Sequence, residues 1–347
     1  MRYPMRRVGR TTTLITSIAV ALAALTGCGS SENAAARDGG DSAASGKFPV
    51  TIDSALGKAV IEEQPERVVT LGTGSAGTSI ALGVIPVGME EYPWGSDETG
   101  YLPWIHEAVT EAGGTLPEQF TGGTELDVEA LVGLDPDVIL APWSGITRNQ
   151  FDILSDIAPT VAYPELPWTI AWDEQIRTIG KALGKPRKAE AAIDRINARF
   201  AEVTEENPQF GENTFVYTYT TGPGTLGVFL PEEQRVAMLT KMGLKLDPVV
   251  KTLPEAEGTA SSVLGLENAD TIGNADLMFT FHMDEKTRRQ VESQPLYAQI
   301  PAVERGSVVA ARDHSFVTAS SIINPLTVPW AIDRYVPLIN KAIERAR

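Results

Sequence analysis

From Phe48 onward, short runs of β-branched and other apolar residues alternate with stretches whose apolar positions recur every three or four residues. This alternation predicts an α/β fold with largely parallel sheets. Seven runs read as strands: residues 67–71, 85–88, 137–141 and 160–162 in the first half, and 214–220, 276–281 and 307–311 in the second. Between the two sets the pattern is helical throughout. Trp172, Ile176, Ile179 and Leu183 form one apolar stripe, ended by Gly184 and Pro186. Ala189, Ala192, Ile193, Ile196, Phe200 and Val203 form a second, with charges on the opposite face and a stop at Asn207 and Pro208. Spacings of three and four sustained over several turns predict a rigid strut rather than a loose linker. The expected architecture is two Rossmann-like lobes, residues 48–185 and 207–347, joined by one long helix over 186–206. No internal repeat is visible at solenoid periods of about 20 to 50 residues.

Ahead of the lobes the pattern changes. Arg2, Arg6, Arg7 and Arg10 precede a mostly apolar run from Leu14 to Leu25, and Leu25-Thr26-Gly27-Cys28 follows. A basic region, a short apolar region and small residues are the layout of a secretory signal. The run falls short of the roughly 18 apolar residues that a spanning helix needs. The four residues at the cut resemble the lipobox of bacterial lipoproteins, which implies lipidation of Cys28. Residues 1–27 are therefore expected to be a lipoprotein signal peptide. Residues 28–47, rich in Ser, Ala, Gly and Asp, read as a lipidated flexible tether. The protein is expected outside the cytoplasm, held to the outer face of the cell membrane through the lipid alone.

Composition narrows the chemistry. Apart from the four signal arginines, acidic side chains outnumber basic ones by about 20, which makes nucleic acid and anionic lipid poor partners. Cys28 is the only cysteine, and His106, His282 and His314 are the only histidines. A disulfide framework is excluded, and no metal site or cofactor is expected.

Three segments carry a family resemblance. Pro65-Glu66-Arg67-Val68-Val69-Thr70-Leu71 with residues 81–88 is the first; Leu126-Asp127-Val128-Glu129-Ala130-Leu131 through Leu140 is the second. Leu264-Gly265-Leu266-Glu267, residues 274–279 and residues 302–309 are the third. In this order they resemble the iron-siderophore and cobalamin family of ABC-transporter substrate-binding proteins. The resemblance implies a monomer that clamps a ferric siderophore between its lobes and delivers it to a permease dimer with its ATPase. It also implies that Glu129 and Glu267 dock onto permease arginines. Independently, Asp127 reads as a helix N-cap that places Glu129 in the first turn, and that alone would account for an acid there.

Ligands of open α/β sheets bind outside the carboxyl ends of strands. The predicted strand ends carry Tyr92, Trp94, Trp143, Trp168, Tyr219, His282 and Arg312, expected as the ligand-binding set for a bulky chelate. Trp172 and Trp330 are assigned to lobe interiors. Glu90 and Glu91 read as solvated acids, or as a preference for neutral or cationic chelates. Heme or cobalamin is the rival ligand, with Tyr219 and His282 the axial candidates for heme. Gly72-Thr73-Gly74-Ser75-Ala76-Gly77 matches G-x-G-x-x-G after a strand, and so admits either a dinucleotide site or a tight turn into a helix. The same segment narrowly misses a G-x-S-x-G elbow. The reading from another class is therefore an extracytoplasmic α/β hydrolase with Ser75 as nucleophile and His282 or His314 as base.

Overall fold

The computed structural model describes residues 46–220, 222–256 and 259–347. Cys28 and the expected signal and tether residues up to 45 lie outside them. A hairpin of β1 (Val50–Ser54) and β2 (Gly57–Ile61) comes first. The first lobe is then built on β3 (Val68–Thr70), β4 (Gly88–Glu90), β5 (Glu118–Phe120), β6 (Val138–Leu140) and β7 (Thr160–Val161). They form one parallel sheet in the order β5-β4-β3-β6-β7. Strands buried on both faces read as continuous apolar runs, and β3 and β6 are fully buried.

The second lobe contains β8 (Thr214–Tyr219), β9 (Thr225–Phe229), β10 (Lys245–Leu246), β11 (Ser261–Gly265), β12 (Leu277–Phe281) and β13 (Val308–Ala311). Its order is β11-β9-β8-β12-β13, with β10 also on β8. Pairings of β8 with β12, and of β12 with β13, are parallel, while β9 is antiparallel to both its neighbours.

Two helices, Trp172–Ala182 and Pro186–Glu206, fill the region between the sheets. Along the second, Ala189, Ala192, Ile193, Ile196, Phe200 and Val203 are all buried. Near its start Ala189 sits so close to Gly180 that a Cβ on that glycine would lie 2.4 Å from the Ala189 methyl. Its far end reaches the second lobe, where the Thr204 hydroxyl donates to the Lys241 carbonyl at 3.3 Å. One apolar core therefore runs from Val68 and Leu140 through this helix to Phe215 and Phe279. The outer face of each sheet has its own smaller core, around Val69 and Ile139 in one lobe and Val216 and Met278 in the other.

Some strands differ from the sequence reading. The one expected at 85–88 begins at Gly88 instead, because Pro86 has no N–H to give a ladder. The hairpin β1–β2 and strands β5, β9, β10 and β11 were not predicted. β1 and β2 bury only one or two residues each, β5 is a short polar edge, and β10 has two residues.

Candidate ligand cleft

In the first sheet the chain winds one way from β3 to β4 and the other way to β6, so the loops after β3 and β6 open a crevice at the switch point. The two loops are tied together. The Thr73 amide donates to the Trp143 carbonyl at 3.0 Å, and the buried Gln175 holds the Thr73 carbonyl through Nε2 at 2.8 Å. Behind them the Gly72 amide donates to Glu90 Oε2 at 2.7 Å. Burial pushes the Glu90 carboxyl upward despite that bond.

Across this crevice lies the second lobe, and between them is a cavity of about 620 Å³. Thr73, Trp143, Glu165, Trp168 and Ile170 line it from the first lobe. Trp143 is almost buried, and its indole N–H donates to the Trp168 carbonyl at 3.0 Å. Trp168 has a φ of 63° and stands 49% exposed over Gly145, where a Cβ would lie 2.6 Å from the indole nitrogen. Its ring also borders a second cavity of about 420 Å³, lined by Leu71, Leu126 and Ser144 among others.

The opposite wall is Phe229, Glu232, Glu233, Gln234, Arg235 and Ser321. Arg235 lies over the Phe229 ring at 4.8 Å and the Phe281 ring at 5.5 Å, and it pairs with the buried Glu233. Glu233 is the N-cap of the helix Gln234–Lys241 and accepts the Arg235 amide at 2.7 Å. Burial raises its carboxyl pKa, against the pull of the guanidinium. Gln234 accepts the Ile323 amide through Oε1 at 2.8 Å, and its buried Nε2 has no hydrogen-bond partner among the described residues.

Of the seven expected ligand residues, Trp143 and Trp168 line this cavity. The other five lie elsewhere. The Tyr92 hydroxyl is 3.2 Å from Thr73 Oγ1, behind the loop, and burial raises its phenol pKa. Trp94 crosses between lobes: it stacks on His314 at 4.3 Å, and its indole N–H donates to the Met283 carbonyl at 3.1 Å. Tyr219 stacks on Phe229 at 4.6 Å, and its hydroxyl is 2.9 Å from Ser261 Oγ. His282 is buried, neither of its nitrogens has a hydrogen-bond partner among the described residues, and burial lowers its pKa. Arg312 is exposed, within electrostatic reach of Glu285. Phe229 and the run from Glu232 to Arg235 escaped the sequence reading because β9 did.

The glycine-rich segment is a tight turn into a helix, with Gly72 at a φ of 70° and Gly74 at 79° just ahead of Ser75, and it has a further use. A Cβ on Gly74 would sit 3.2 Å from the Ile322 side chain, and one on Gly77 would sit 2.9 Å from Asn324 Nδ2. Both glycines therefore admit the second lobe against the helix Ser75–Ala81. The Gly72 amide is already taken by Glu90. Ser75 is fully buried and its hydroxyl has no partner, so no serine–histidine hydrogen bond exists among the described residues. Glu90 is turned inward, and Glu91 accepts the Thr121 hydroxyl at 2.9 Å. Trp172 is buried, and Trp330 is half-buried against Trp104 and Arg334.

On the outer surface, Asp127 caps the helix Val128–Gly133 by accepting the Ala130 amide at 3.0 Å, with Glu129 exposed in its first turn. Glu267 is exposed in the turn after β11, its carboxylate folded back over Gly265.

A family model for periplasmic binding proteins matches residues 68–314. The chain belongs to that family. Within it, the branch is that of ABC-importer substrate-binding proteins for iron siderophores or cobalamin, which are binding proteins and not enzymes. The ferric enterobactin-binding periplasmic protein FepB of Escherichia coli O6:H1 is 24% identical over 280 residues, covering 78% of this chain and 86% of its own. A cobalamin-binding protein of Halobacterium salinarum is 30% identical over 240 residues, 64% of this chain and 58% of its own. Among solved structures, PiaA of Streptococcus pneumoniae TIGR4 in complex with ferrichrome superposes with a TM-score of 0.78 at 30% identity, over 86% of this chain and 99% of PiaA. Two lobes with parallel sheets and a connecting helix are therefore the shared fold.

Proposed function

We propose that this binding protein captures an iron(III)–siderophore complex in the cleft and hands it to a membrane permease, with Cys28 as its lipid anchor. The observation that carries the reading is the makeup of the cavity. A space of about 620 Å³ falls in the usual range for a small-molecule site. Its walls offer Trp143, Trp168 and Phe229 as flat apolar surface, with Arg235 and the Gln234 amide as polar contacts. Aromatic faces bury area at low entropic cost, and a chelate brings its metal already coordinated, so the protein needs no metal ligands of its own. The likeness to PiaA with bound ferrichrome supports a siderophore over a corrinoid.

Tryptophan fluorescence titrated with ferric hydroxamates, catecholates and carboxylates, heme and cobalamin tests this reading. Saturable quenching by at least one iron–siderophore complex is expected; response to heme or cobalamin alone would overturn it. Glu129 and Glu267 are proposed as the permease contacts. Rim charges of this kind set register and encounter rate more than affinity. Reversing both to lysine should leave chelate binding intact and lower cellular uptake severalfold, whereas normal uptake would remove the role.

A further inference from the structure

The charges around the cleft are lopsided. Glu165 approaches it from the first lobe, and Glu232, Glu233 and Glu255 from the second, while Arg235 is the one cation lining it among the described residues. The Arg235 charge is balanced by Glu233 at contact distance, while its buried Nε–H has no hydrogen-bond partner among the described residues. Glu165, Glu232 and Glu255 are exposed at the cavity and form no ion pair among the described residues. The same wall holds the buried Gln234, whose Nε2 donor has no hydrogen-bond partner among the described residues. A ligand entering thus meets aromatic faces and three carboxylates that no ion pair among the described residues neutralises.

Resting on the reading of the cleft as a siderophore site, we propose that it selects iron chelates of zero or positive net charge and discriminates against anionic ones. A neutral ferric trihydroxamate, or one carrying a free ammonium, fits this field. A ferric tricatecholate or polycarboxylate carries its negative charge into three like charges, and between exposed groups that repulsion is felt fully only at low salt.

The test uses iron complexes of one linear trihydroxamate whose terminal amine is free, acetylated or succinylated, giving net charges of about +1, 0 and −1 on an unchanged iron centre. Fluorescence titration at low ionic strength should rank them in that order, with about tenfold between the first and last. The gap should narrow as salt rises. It should also shrink in a Glu165→Gln, Glu232→Gln, Glu255→Gln triple variant, whose thermal midpoint confirms folding. Equal affinities, or tightest binding of the succinylated complex or of a tricatecholate, would overturn the charge selection and leave the siderophore reading standing. Failure of every iron chelate, catecholates included, would remove both.

Discussion

The boundary between the lobes has two regions built by opposite means. Where Gly74 and Gly77 meet Ile322 and Asn324, and where Trp94 meets His314, atoms of the two lobes are in direct contact. A few residues away, Thr73 and Ser321 border a cavity of about 620 Å³ ringed by exposed carboxylates. The first region lets side chains of one lobe reach the glycine backbone and an aromatic ring of the other, and the second sets large side chains on both sides of an open space. Stiffness and openness are thus divided between neighbouring parts of one boundary. Contact at the glycines and along the strut fixes the spacing of the walls, so the cleft can carry half-exposed and charged groups that no stable interior would tolerate. One strut and a close contact also predict small closure rather than a wide hinge movement.

The largest effect should come from closing the glycine gap. Gly74→Val places a β-branched residue at a φ of 79° against Ile322 and Gln175, and should destabilise the protein by about 3 kcal/mol. Chemical denaturation measures this; an unchanged midpoint would show that the lobes do not meet there. A crossed pair of variants sharpens the contrast. Trp94→Ala removes the stack on His314 and the bond to Met283 and should cost about 2 kcal/mol of stability, with a smaller loss of ligand affinity. Trp168→Ala should do the reverse, weakening chelate binding by about 1.5 to 2 kcal/mol while moving stability by no more than about 0.5 kcal/mol. If the two variants exchanged these effects, the division into contact region and cleft would fail.

The smallest effect concerns pH. Burial holds His282 below its ordinary 6.5; Arg288 adds to the shift, and Glu292 and Glu285 oppose it. A folded pKa below the unfolded one means the contribution is intact above about 6.5 and is lost as pH falls through that value to the folded pKa. Thermal midpoints taken at about pH 7.5 and about pH 5.5 should therefore drop more in the native chain than in His282→Gln. Equal drops would show that the imidazole is free to charge in the fold.

How much of this could be read beforehand depended on the length of the signal. The six-residue stripe from Ala189 to Val203 repeats over several turns, and every member is buried in the helix Pro186–Glu206. Asp127 declared itself as a cap by its place before an apolar run, and it is one. The runs at β3, β6 and β12 were legible because strands covered on both faces cannot hide their apolar character. The antiparallel edge at β9 and β11 is short and mixed, so it passed unseen and took Arg235 and Gln234 with it.

Local pattern was enough to specify the alternation of sheets and helices, the strut, and the supply of aromatics near strand ends. Which aromatics line the cavity and which join lobe to lobe was settled by the folded chain. Trp94 and Trp168 both follow first-lobe strands, and local pattern cannot tell them apart. Their roles are set by partners far along the chain, Met283 and His314 for one and the wall from Phe229 to Arg235 for the other. The same holds for G-x-G-x-x-G, where a missing Cβ records a close approach without naming what approaches. Periodicity reports how a segment is buried; only the folded chain brings distant residues together and so determines against what.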